Sequence, residues 1–171
     1  MLELWHGPTS AFKDMALQCL PRFFSASAEA LRERGELDHD FLILVATSGD
    51  TGKAALEGFK NAEHVRIGVL FPDGGVSDIQ RKQMVTTTGD NVQVWGVRGN
   101  FDDCQTGVKN VFGDEAYAAQ LLSEHNVTLS SANSINWGRL MPQIVYYISS
   151  YAELVAKGKV EAGKPIDVCV P

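Results

Sequence analysis

The chain has 171 residues, 44% hydrophobic and 21% charged, which suits one α/β domain with a buried core or one domain plus part of another. A net charge of −6, with basic residues scattered and never in a run, argues against a nucleic-acid surface. No apolar stretch is long enough to span a bilayer and the first residues lack a signal-peptide pattern, while Cys19, Cys104 and Cys169 are too widely spaced for a metal site or a disulfide framework, so the composition points to a cytoplasmic protein with reduced thiols.

Taken in chain order, apolar β-like runs alternate with helical patterns. A first helix is expected to start near Thr9 or Ser10 and run towards Arg34, kinked or broken at Pro21 and stopped by Gly35. A strand over 41–47 leads to a helix from Thr51 to about Asn61. A strand over 65–71, a turn at Pro72-Asp73-Gly74-Gly75 and a helix over about 76–88 follow, ending before the turn signal Gly89-Asp90. Next come a strand over 91–97 and a helix over 101–112, with Asn100 as its N-cap and Asp102 and Asp103 at its positive end. A helix over 115–125 and a strand over 127–129 precede a long helix from Trp137 to about Lys157, bent near Pro142. A last strand is expected at 166–170. Several strands are continuously apolar, as strands covered on both faces are. The pattern is that of an α/β fold, a parallel sheet flanked by helices in three layers. The chain opens almost directly on Gly7-Pro8-Thr9 and stops on an apolar strand pattern, which reads as a fragment.

Three runs could carry chemistry. In HGPTSAFKD (6–14), a Gly-Pro turn leads into a helix start, so Lys13 lies near backbone N–H groups and the positive end of the dipole. An amine there is pressed towards its neutral, nucleophilic form, although a lone lysine at a helix start is ordinarily a solvated surface residue. In ATSGDTGK (46–53), glycines and hydroxyls sit between a strand's carboxyl end and a helix N-terminus, where ligands of open α/β sheets bind. The run fails both the Walker A pattern and GxGxxG, and a plain strand-to-helix turn explains it about equally well. In NSINWGR (133–139), two asparagines, a serine and an arginine would suit a phosphate or carboxylate, though helix capping accounts for any one of them alone. No spacing suggests a metal site.

Together the ordered runs LELWHGPTSAFKD, ATSGDTGKAA, LFPDGGVSDIQRKQM, VRGNFDDCQ and NSINWGRLMPQ resemble threonine synthase, a fold type II pyridoxal-phosphate enzyme, over nearly the whole chain. The resemblance implies conversion of O-phospho-L-homoserine and water to L-threonine and phosphate, in threonine biosynthesis. It makes Lys13 the catalytic Schiff-base lysine, with the cofactor as electron sink. It places Ser48, Asp50 and Thr51 towards the cofactor, and Ser48, Thr51, Asn133, Ser134, Asn136 and Arg139 towards the substrate. Asp14 ranks lower, as a cap or an orienting group. Residues 1–40 and 136–171 would belong to a large cofactor domain, and 41–135 to a small parallel α/β domain.

The family also has a long segment before the HGPT motif and a Gly/Asn-rich cofactor-phosphate loop just after the Val-Pro pair where this chain stops. Without that loop, several charge-assisted hydrogen bonds of roughly 1.5–3 kcal/mol each would be missing, so the isolated chain is expected to be inactive, even without cofactor, and to self-associate through exposed apolar surface. Two alternatives remain open. One is another fold type II lyase, a dehydratase or a tryptophan synthase β-like protein, which should lack the NSIN-W-x-R run. The other is a non-catalytic anion-binding domain.

Overall fold

The computed structural model describes residues 1–133 and 136–170. Its centre is a four-stranded, wholly parallel sheet in the order β3-β2-β1-β4, built from β1 (Asp40–Ala46), β2 (Val65–Pro72), β3 (Val92–Val97) and β4 (Val127–Ser130). The central strand β1 pairs with β2 from Phe41↔Val65 to Ala46↔Leu70, and with β4 from Asp40↔Val127 to Ile43↔Ser130. Ile43, Leu44 and Val45 are buried in succession, which requires cover on both faces of the sheet. On the edge strand β3 burial fluctuates and Trp95 is exposed.

The helices are α1 (Asp14–Glu33), α2 (Asp50–Phe59), α3 (Asp78–Val85), α4 (Phe101–Gly113), α5 (Glu115–His125), α6 (Trp137–Leu140) and α7 (Ile144–Ala156). Local chemistry sets most of their boundaries. Ser77 and Gln80 form a reciprocal capping box on α3, and Asn100 and Asp103 do the same on α4. Asp114 caps α5, whose far end closes on Asn126 in the left-handed conformation. The long helix expected from Trp137 is divided at Pro142 by a 3-10 turn, Met141–Gln143.

Two expectations change. Helix α1 begins at Asp14, later than Thr9 or Ser10, because 7–13 form a turn in which Ser10 has a φ of 55°, so Lys13 is the capping position and not part of the first helical turns. Pro21 lies inside α1 without ending it. Proline removes the donor to the carbonyl four residues back, which is Leu17. That carbonyl instead faces Gly58 on α2, so closely that a Cβ there would fall 1.8 Å from the oxygen. The strand expected at 166–170 is also absent: these residues join none of the four strands, and a strand exists only through a partner's hydrogen bonds.

The core lies between α1, α2 and the sheet, around Leu17, Leu20, Ile43, Leu56, Phe59, Ile67 and Val69. Gly58→Ala should therefore push α1 off α2. The expected loss is about 2 kcal/mol or more, read as a lower urea midpoint, since the obstacle is backbone and cannot rotate away.

Candidate active site

The site forms where the turn before α1 meets the loop after β1. The turn is organised by the buried carboxylate of Asp14. It accepts from the Thr9 backbone N–H (3.0 Å), the Thr9 hydroxyl (2.5 Å) and the Ala11 N–H (3.2 Å). A Cβ on Gly7 would fall 2.4 Å from Asp14 Oδ2, so glycine is needed for the chain to pass. From the other side the Tyr146 hydroxyl of α7 donates to the Phe12 carbonyl. Lys13, between Phe12 and Asp14, is thus held at both flanks.

The facing loop is tied by Thr47, whose Oγ1 accepts from the N–H groups of Gly49 (3.0 Å) and Gly52 (2.9 Å). Gly49 has a φ of 138°, and a Cβ there would meet the Gln80 amide at 2.4 Å. Both constraints deliver Asp50 to the start of α2. Its carboxylate gathers three side chains: Lys13 Nζ at 3.7 Å from Oδ2, Lys53 Nζ at 3.2 Å from Oδ1, and the Gln80 Nε2 donor at 2.9 Å from Oδ1.

Arg139 completes the cluster from α6. It is buried at 6% exposure, donating through Nη1 to the Ala132 carbonyl (3.2 Å) and through Nη2 towards Thr51 Oγ1 (3.5 Å). Its Nε is buried with no hydrogen-bond partner among the described residues.

These neighbours set the protonation chemistry. Burial holds the Lys13 amine below the ordinary lysine range; Arg139 and Lys53 push the same way, and Asp50 opposes them. Burial favours the neutral form of Asp50, but the Gln80 hydrogen bond and the Lys53 and Lys13 charges prevail and hold its carboxyl below the usual range. Burial also lowers Arg139, which stays charged, and raises the Tyr146 phenol. The result is a partly desolvated amine, 16% exposed, beside one carboxylate and two further cations. Such a site can attack a carbonyl and attract anions.

Of the residues singled out by sequence, the fold brings together Lys13, Asp50, Thr51 and Arg139. Ser48 is exposed on the loop after β1, and Asn133 is exposed after β4. Asn136 serves as a latch, donating to the Ser131 carbonyl (3.1 Å) and accepting from the Gly138 N–H (2.9 Å). Ser134 lies outside the described residues. Sequence reasoning missed Lys53, Gln80 and Tyr146. The first two had readable signals, an Asp-to-Lys spacing of three on a helix and an S-x-x-Q capping box, whereas Tyr146 is 134 residues from its partner Phe12.

The parallel sheet and its flanking helices, with the lysine-bearing turn beside the β1 loop, have the fold of part of the fold type II pyridoxal-phosphate threonine synthases. No protein-family model matches the sequence. The chain is homologous to the threonine synthases. It is 43% identical to human threonine synthase-like 1, over 100% of this chain and 23% of that protein. It is 46% identical to threonine synthase of Pseudomonas aeruginosa, over 91% of this chain and 31% of that one. The structure of PLP-bound threonine synthase from Brucella melitensis superposes with a TM-score of 0.77 at 44% identity, over 92% of this chain and 32% of that one. Yeast threonine synthase gives 0.77 at 40%, over 92% and 30%. The chain thus spans from 23% to 32% of the length of these relatives.

Asp14→Ala should leave two backbone donors and the Thr9 hydroxyl without their acceptor. The expected cost is about 3 kcal/mol in urea unfolding, with faster labelling of the amide protons of Thr9 and Ala11 in hydrogen exchange.

Proposed function

We propose that the chain carries the lysine-bearing part of a threonine synthase site, a pyridoxal-phosphate-dependent lyase that converts O-phospho-L-homoserine and water to L-threonine and phosphate in the cytoplasm. The observation that carries this reading is the juxtaposition of a desolvated Lys13 amine with Asp50 and with a buried arginine whose Nε has no partner among the described residues. The donor set fits the cofactor and a phosphorylated amino acid. The amine suits an aldehyde, and the surplus positive charge of Lys13, Lys53 and Arg139 over Asp50 suits anions.

When bound, pyridoxal phosphate supplies the electron sink. The protein's share is binding, orientation and proton movement. Lys13 Nζ would hold the cofactor and then accept and return protons, a task that an amine held by burial below the ordinary lysine range performs more readily than a solvated one. Asp50 sets the amine's position. Arg139 and the Thr51 hydroxyl beside it would take the phosphate of the substrate, with Ser48, Asn133 and Ser134 as further contacts and Asn136 holding the loop in place. Residues 41–135 would be the small domain, and 1–40 and 136–171 parts of the large one. Among the described residues no helix is long and apolar enough to cross a membrane.

Incubation with pyridoxal phosphate, borohydride reduction and peptide mapping should place the label on Lys13. Label spread evenly over surface lysines, or retained in Lys13→Ala, would sink the reading. Arg139→Met should weaken phosphohomoserine binding by about tenfold or more in calorimetry, the loss of one charge-assisted contact.

A further inference from the structure

Lys53 is 7% exposed, although a helix lysine can normally carry its ammonium out to water. Its Nζ instead turns back one helical turn to Asp50 Oδ1, the same oxygen that accepts from Gln80. Oδ1 therefore has two donors, and Oδ2 is the oxygen that faces Lys13, at 3.7 Å, longer than a close charge-assisted hydrogen bond. The carboxylate thus lies nearer to the lysine of its own helix than to the lysine in the turn before α1.

We propose that Lys53 is a positioning residue for the site: it holds the Asp50 carboxylate by Oδ1, with Gln80, and so keeps Lys13 from acquiring a full counter-ion. The proposal rests on the reading of Lys13 as the reactive amine. A lysine paired tightly with a carboxylate stays protonated and is a poor nucleophile; one left with half of a shared carboxylate, beside another cation, loses its proton more readily. Lys53 acts in both ways at once, by drawing Asp50 away and by adding positive charge nearby.

The other groups around Lys13 do not substitute for it. Arg139, from α6, adds positive charge but bonds the Ala132 carbonyl and Thr51, not Asp50. Asp14, on α1, is engaged by Thr9 and Ala11. Tyr146, from α7, bonds the Phe12 carbonyl, and its phenol is pushed up by burial, so it stays neutral. Gln80, from α3, is uncharged and fixes only the orientation of Asp50.

The test is competitive trace acylation of the 171-residue chain across pH, with Lys13 quantified by mass spectrometry. It needs no cofactor and no turnover. In Lys53→Met the midpoint for Lys13 should move to higher pH, and below that midpoint its rate should fall about fivefold. Lys53→Arg, which restores the charge and the contact, should return the profile to that of the unaltered chain. Asp50→Asn should move it the opposite way. Should Lys53→Met fail to give the native circular dichroism spectrum, Lys53→Gln carries the same expectation. A midpoint unchanged or lowered in the neutral variant overturns the proposal and leaves Lys53 a structural ion pair. Failure of the broader functional reading would show separately, as absence of selective pyridoxal-phosphate labelling at Lys13 in the unaltered chain.

Discussion

The close approach of α1 to α2 at Gly58 is the constraint on which the rest depends. Pro21 deprives the Leu17 carbonyl of its helical donor, and the lack of a side chain at Gly58 lets α2 come up against that carbonyl. The contact locks together the helix that follows Lys13 and the helix that begins with Asp50. A bulkier residue at Gly58 would separate them, and with them the amine and its carboxylate. Packing density several residues from the chemistry therefore sets the chemistry's geometry.

Around that contact, each flank of the site is fixed by a polar group spent on structure. Asp14 organises the turn before α1, Thr47 ties the loop after β1, and Asn136 fastens the segment that leads to Arg139. These residues leave the others free to meet a ligand. The division of labour is visible between neighbours: Asp14 is buried and engaged by the turn, while Lys13 next to it points out of the turn towards Asp50. Electrostatics then does the remaining work. One carboxylate faces two lysines, with Arg139 close by; burial first, then the Arg139 and Lys53 charges, lower the amine's proton affinity, and the positive surplus favours anionic ligands.

Much of this was readable beforehand. Apolar runs and capping signals located β1 to β4 and the helices between them, and helix α5 falls at 115–125 as expected, because Asp114 and Asn126 end it locally. The five ordered motifs pointed to Lys13 and the SGDTG loop, and the fold brings these together. The misses had two causes. The starts of α1 and α3 are set by local side-chain bonds, Asp14 to Thr9 and Ala11 and the Ser77–Gln80 capping box, which apolar periodicity does not locate. The fate of 166–170 depends on a pairing partner distant in sequence, and local patterning carries no information about whether it is present.

By itself, the sequence determined the alternation of strands and helices, the residues that cap them and the chemical types available to the site, since each depends on interactions a few residues apart. Only the tertiary structure decided that Lys53 and Gln80 share the Asp50 carboxylate with Lys13, that Pro21 is accommodated within a helix, and that Tyr146 steadies the turn that presents the amine. Apart from the Lys53–Asp50 pair, which lies within α2, those contacts join groups brought close by sheet order and helix packing. Their energies appear only once burial has removed water from between them.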